Sequence, residues 1–279
     1  MGVYNPAFTG TEGSYASLNS RNQWTGIDDA PVTNYLIYYL PQRKKVNLGF
    51  TLQNDRVFIE EKTHFTIDYN YQLQLSETQS LYLGLKAGGF YNNIEVDRLD
   101  RLTTVYNPLL EPIASYFTPI LGIGIQYKTP SYFLGVGIPS LFENKRFQDN
   151  GALQTTATDV VYALFSGGAT LPMNDKININ PVFVYRTLPN SPNLFSATLE
   201  VEYKREITLG GGFSNNNSLA FFVSTKKIRG MEWGYGYEFM NRGDNTAIQQ
   251  GTHEILLRFI LNKKQKEETQ RKEGYGNRG

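Results

Sequence analysis

Phe65-Thr66-Ile67-Asp68-Tyr69-Asn70-Tyr71-Gln72-Leu73-Gln74-Leu75 is the stretch that decides the fold class. Apolar or aromatic residues at 65, 67, 69, 71, 73 and 75 alternate without a break with Thr66, Asp68, Asn70, Gln72 and Gln74. Successive side chains of a β-strand point to opposite faces, so this is a strand with one apolar and one polar face. The same period recurs along the chain. Val46, Leu48, Phe50 and Leu52 alternate with Asn47, Gly49, Thr51 and Gln53; Ala197, Leu199, Val201 and Tyr203 alternate with Ser196, Thr198, Glu200 and Glu202. Met231, Trp233, Tyr235, Tyr237 and Phe239 do so with Glu232, Gly234, Gly236 and Glu238.

Working outward with turn signals predicts fourteen strands, over 14–25, 33–40, 46–54, 63–75, 80–92, 119–128, 131–139, 158–171, 176–186, 193–203, 206–213, 218–227, 231–240 and 250–262. Their connections sort by parity. The even ones are short, as in Pro41–Lys45, Ser76–Gln79, Thr129-Pro130 and Lys204-Arg205. Most odd ones are longer, as in Gly26–Val32, Asp55–Lys62, Asn93–Thr118 and Ser140–Thr158; Ser214–Asn217 breaks the pattern. Short turns on one rim and long loops on the other are the arrangement of an up-and-down transmembrane barrel. The expected fold is therefore all-β: a single antiparallel barrel of about 14 strands, with short periplasmic turns and long extracellular loops. In hydrocarbon a sheet survives only if it closes on itself, and fourteen strands leave a lumen that side chains alone do not fill. The long loops have three open roles: plugging that lumen, packing on each other, or receiving a protein partner. Residues 1–262 are assigned to this one barrel domain, and 263–279 to a polar, mixed-charge tail on the periplasmic side.

Composition agrees. Aromatic residues make up 14% of the chain, with 19 Tyr and 17 Phe, which suits girdles at two membrane interfaces. The mean hydropathy of −0.39 is tolerable because every second strand residue faces inward. A formal charge of +1 offers no electrostatic case for nucleic acid. With no cysteine, a disulfide scaffold, a thiolate metal site and a cysteine nucleophile are all excluded. Met1-Gly2-Val3 is no signal peptide, and we read the chain as starting after a natural leader.

No catalytic, cofactor or metal constellation stands out. His64 and His253, the two histidines, fall on separate strands with no partner motif, and are read as solvated rim residues. Gly210-Gly211-Gly212 and Gly122-Ile123-Gly124 lack the strand–loop–helix context of a phosphate loop and read as barrel glycines that relieve curvature or let side chains pack. Glu200, Glu202, Glu232 and Glu238 are expected to form an acidic patch on the lumen wall, tuning polarity rather than doing acid–base work.

Two motifs carry a family resemblance. Tyr4-Asn5-Pro6-Ala7-Phe8-Thr9-Gly10 resembles the N-terminal signature of the PorP/SprF family, in which an Arg-x-Gln-Trp strand follows; here that strand reads Arg21-Asn22-Gln23-Trp24. Leu81–Gly88 and His253–Leu257 are similar to later family segments. The resemblance implies a non-enzymatic outer-membrane protein of the type IX secretion and gliding motility machinery of Bacteroidetes. It implies protein partners: secreted adhesins carrying C-terminal sorting domains, and the periplasmic ring proteins. Asn5, Pro6, Arg21, Gln23 and Trp24 are then either structural, fixing a tight start and anchoring the first strand, or a docking surface for periplasmic partners. The long loops contribute Leu109, Leu110, Tyr116, Phe117 and Phe142 to an outward apolar platform for cargo. The alternatives are a passive outer-membrane solute transporter on a similar barrel, and a soluble all-β carbohydrate-binding protein.

Overall fold

The computed structural model describes residues 1–95, 115–149, 154–189, 191–226, 230–240 and 251–261. Its strands are β1 (Tyr15–Asn22), β2 (Val32–Tyr39), β3 (Val46–Val57), β4 (Glu60–Gln74), β5 (Ser80–Ile94), β6 (Tyr116–Lys128), β7 (Tyr132–Ile138), β8 (Asn144–Asp149), β9 (Gln154–Asp159), β10 (Leu164–Ala169), β11 (Leu171–Asn174), β12 (Ile177–Arg186), β13 (Leu194–Tyr203), β14 (Ile207–Ser214), β15 (Ser218–Thr225), β16 (Met231–Met240) and β17 (Thr252–Ile260). β1 to β7 pair antiparallel in sequence order, as do β11 to β17; β7 pairs with β10 past the β8–β9 hairpin, β10 pairs with β12, and β1 pairs with β17. The sheet therefore closes. β10 and β11 are halves of one wall strand interrupted at Thr170, so the 15-stranded sheet makes fourteen crossings, as expected. The β8–β9 hairpin forms its own small sheet within the predicted Ser140–Thr158 loop.

The wall is inside-out relative to a soluble protein. Ile67, Leu199 and Leu209 are 61%, 53% and 58% exposed, while Asp68 and Asn70 are fully buried. Ile67, Tyr69, Leu199, Val201, Trp233 and Tyr235 face outward, and Asp68, Asn70, Glu200 and Glu232 face inward, as the period of two requires. An outer surface of Leu, Ile, Phe and Tyr around a polar interior is the solution that hydrocarbon surroundings impose on a closed sheet.

Several boundaries differ from expectation. The predicted loop 55–62 is almost entirely strand: Asp55 pairs with Lys62 and Arg56 with Glu61, leaving a tight turn at Phe58, whose φ is 56°. Charges that read as loop are opposite-charge cross-strand neighbours. Tyr116 and Phe117 likewise belong to β6 and not to the loop before it. β10 begins at Leu164, six residues later than the predicted start at 158.

Candidate functional site

The lumen is occupied by the chain's own N-terminal segment. Pro6–Phe8 form a single 3-10 turn, and Asn5, Ala7, Phe8 and Thr9 are all buried. The turn is built locally. Pro6 supplies a fixed φ at the first position, and Asn5 caps the turn, its Oδ1 accepting from the Ala7 N–H at 3.0 Å. Phe8 N–H donates to Asn5 O at 3.1 Å, and Thr9 N–H to Pro6 O at 3.1 Å.

Side chains of the wall hold this turn. Asn70 Nδ2 donates to Ala7 O at 2.9 Å and to Thr9 O at 2.7 Å. The Thr9 hydroxyl donates to Asp68 Oδ2 at 3.1 Å, and Asp68 Oδ1 meets Lys86 Nζ at 2.7 Å with both side chains almost wholly buried. Lys128 Nζ donates to Thr11 O at 2.9 Å. Phe8 sits edge-on to Phe133, with ring centroids 5.4 Å apart. The backbone approaches the wall closely at Gly84, where a β-carbon would stand 2.2 Å from the Ala7 nitrogen.

Tyr4 completes the crossing. Its hydroxyl comes close to that of Tyr35 on β2, and its ring lies 5.3 Å from the Arg186 guanidinium on β12. Counting β10 and β11 as one, six strands separate β2 from β12 in either direction around the ring. Tyr4 therefore touches opposite walls. Arg186 also covers the Tyr162 ring at 5.1 Å; burial raises the Tyr162 hydroxyl above its usual range, with Arg186 pulling the other way, so a neutral phenol meets the cation.

Elsewhere the inner wall is polar and carries ion pairs. Arg21 pairs with Glu238 and, at 3.3 Å, with Glu254; Arg258 pairs with Glu232 at 3.2 Å. Of the expected acidic patch, Glu232 and Glu238 are thus neutralised. Glu200 and Glu202 have no ion-pair partner among the described residues.

The residues singled out from sequence do not converge on one surface. Asn5 and Pro6, offered as a docking surface, are instead buried inside the plug. Arg21 turns into the lumen, where its guanidinium is held by carboxylates. Gln23 and Trp24 follow the end of β1, on the long-loop rim, because an antiparallel strand that starts beside the termini must finish on the opposite side. They therefore lie at the opposite end of β1 from the plug's link to the wall. Phe117 points outward, 56% exposed and stacked on Phe65 at 5.9 Å, and Tyr116 faces the lumen beside Asn92. Phe142 is exposed on the long-loop rim next to Leu141. Leu109 and Leu110 lie outside the described residues, as does the 263–279 tail.

His64 faces inward against Phe90, with centroids at 5.0 Å, while His253 lies on the outer wall, where its Nδ1 is 2.7 Å from the Tyr235 hydroxyl. The two histidines are on opposite sides of the wall. Gly210 makes room for the Phe222 ring, and Gly211 floors an outer depression of about 770 Å³ between Phe183, Phe213 and Phe221. Among the described residues no group of three or more His, Cys, Asp and Glu is placed to hold a metal.

The residues that sequence reasoning missed are the wall partners of the plug: Asn70, Asp68, Lys86 and Gly84. The available signal was glycine at inward positions of neighbouring strands, Gly49, Gly84, Gly124, Gly135 and Gly137, facing a segment rich in small residues.

Comparison with known proteins gives a family and a fold. The family model for the type IX secretion system membrane protein PorP/SprF matches residues 1–259. Three solved structures align at a TM-score of 0.52. Omp33 of Acinetobacter baumannii is 9% identical, covering 89% of this chain and 99% of its own. The Ralstonia pickettii toluene transporter TbuX is 11% identical, covering 92% of each chain. The CymD monoaromatic hydrocarbon channel is 13% identical, covering 92% and 90%. At such identities they establish the outer-membrane barrel fold and nothing finer. A search of curated proteins gave no match.

Proposed function

This chain belongs to the PorP/SprF family of type IX secretion system membrane proteins, and from that premise we propose that it is a non-enzymatic outer-membrane barrel that works at its rims. It binds or anchors a secreted cargo, through an adhesin sorting domain, on the long-loop side, and meets the periplasmic ring components on the side of the termini. The observation that carries this reading is the crossed lumen: Tyr4 reaches both Tyr35 and Arg186, and the turn behind it is buried against the wall. A passive solute transporter needs a cleared path, which this segment occupies. Toluene and monoaromatic hydrocarbons are the substrates named for TbuX and CymD, which share only the barrel fold with this chain.

The exposed Leu141 and Phe142 support an apolar landing surface at the outer rim. Deleting Pro108–Ser115 in the adjacent long loop tests the cargo side. The expected result is a normally assembled barrel that no longer retains its adhesin at the cell surface. Retention as before would remove the loop platform. Planar-bilayer recording separates the reading from the transporter alternative: the intact chain should give no solute-sized conductance, and a steady open pore would favour the transporter.

A further inference from the structure

The plug is bound to the wall as a ligand is bound to a receptor. Up to Gly13, the backbone-to-backbone hydrogen bonds of the segment are internal: Tyr4 and Asn5 to Met1, Phe8 to Asn5, Thr9 to Pro6, Thr11 to Phe8 and Gly13 to Gly10. No rung of the barrel ladder includes them. The wall instead reads the segment with side chains, Asn70 clasping two of its carbonyls and Asp68 its threonine hydroxyl. The receiving surface is cut to shape. A β-carbon at Gly124 would lie 1.9 Å from Asn5 Oδ1, at Gly135 2.7 Å from the Phe8 ring, at Gly137 2.8 Å from Asn5 Cβ, and at Gly49 2.6 Å from Thr9 Cγ2. Asn5, Phe8 and Thr9 thus each sit against a glycine hollow in the wall. The Asn5 cap and Pro6 preorganise the turn independently of the wall, which lowers the entropy cost of binding it. The segment joins β1 through exposed Glu12 and Gly13, and Gly13 has a φ of 102° with open space around it.

We propose that the inner face of β3–β7 is a peptide-binding site, filled in cis by Asn5–Gly10 and able to take an Asn-Pro-Ala-Phe-Thr-Gly peptide in trans once the cis copy is detached. The ligand class is a preformed Asn-Pro turn followed by a small residue, an aromatic ring and a β-hydroxyl residue. The recesses at Gly124, Gly135 and Gly49 exclude larger side chains or altered spacing. Vacating the site clears the lumen between Tyr35 and Arg186.

The test keeps the full chain. A protease recognition sequence is inserted between Glu12 and Gly13, the barrel is folded with its plug in place, and the link is then cut. A fluorescent synthetic peptide of residues 1–12 is added in excess. The site predicts saturable, one-to-one exchange of the labelled peptide for the cut segment. It also predicts at least tenfold weaker competition by the same peptide carrying Asn5→Ala, and ion conductance that rises on washout and falls on re-addition. A barrel folded with Gly84→Leu should take up no labelled peptide. Failure of the cut segment to leave, failure of the peptide to enter the vacated barrel, or equal uptake by the Gly84→Leu barrel would each overturn the proposal.

Discussion

Replacing Asn70 by Ala removes the clasp without touching the wall. The Asn70 side chain is fully buried and donates to Ala7 O at 2.9 Å and Thr9 O at 2.7 Å, while the β4 ladder to β3 and β5 is made by backbone alone. An ordinary hydrogen bond is worth about 1 kcal/mol net, and a buried acceptor left unsatisfied costs about 1–3 kcal/mol. Two lost bonds therefore weaken plug docking by about 2 kcal/mol if water replaces the amide, and by up to about 6 kcal/mol if it does not. With about 1.4 kcal/mol per factor of ten, the smaller figure alone is about thirty-fold in the undocked population. Hydrogen exchange read by mass spectrometry in detergent micelles reports that population directly, since Ala7, Phe8 and Thr9 donate their amides within the turn. Their exchange should accelerate at least thirty-fold while the amides of β4 and β5 keep their rates. Unchanged exchange of the turn would refute the clasp. Equal acceleration of turn and strands would refute the separation of plug from wall.

Leu199→Arg, on the outward face of β13, should destabilise the barrel by about 2–4 kcal/mol in lipid vesicles by urea titration if it sits near the bilayer midplane; no loss would place that face away from hydrocarbon. Lys86→Met leaves Asp68 as an uncompensated buried charge and should cost about 3–5 kcal/mol, most of it recovered when Asp68→Leu is added. Equal stability of the single and double variants would mean that water already compensates the pair. His64→Gln with His253→Gln should leave folding and cargo handling unchanged, because the two rings are held on opposite sides of the wall. Loss of function in a folded double variant would expose a site at one of them.

The wall was legible because membrane strands write both faces into a period of two. Ile67 and Asp68 can be assigned to lipid and lumen from their neighbours alone, and fourteen crossings follow from the turns between such stretches. Legibility ended where a residue's polarity has two explanations. Asp55, Arg56, Glu61 and Lys62 look like a solvated loop but stand opposite one another, unlike charges in register, across a hairpin. Asn5, Thr9 and Asn70 have the polarity of surface residues, yet a lumen buries polar groups as a soluble core buries leucine. Nothing in the period of a strand says which inward polar residue faces water and which grips a plug. Plugging was one of three roles open to the long loops; the segment found in the lumen is the short Asn5–Thr9 turn, whose Asn-Pro start marks a turn in sequence but not where that turn packs. Gly84 and Gly124 held the clue, since an inward glycine on a wide barrel leaves a hollow that something must fill or water must occupy.

The most direct measurement of the account is affinity purification of the tagged, intact chain from its native outer membrane in mild detergent, with every stoichiometric companion identified by mass spectrometry. The account predicts a secreted protein with a C-terminal sorting domain, a periplasmic component of the secretion and motility ring, or both, lost selectively when the rims are altered and retained in Asn70→Ala. A chain that emerges alone from membranes actively secreting their cargo, under conditions that preserve other complexes of the machinery, would contradict it.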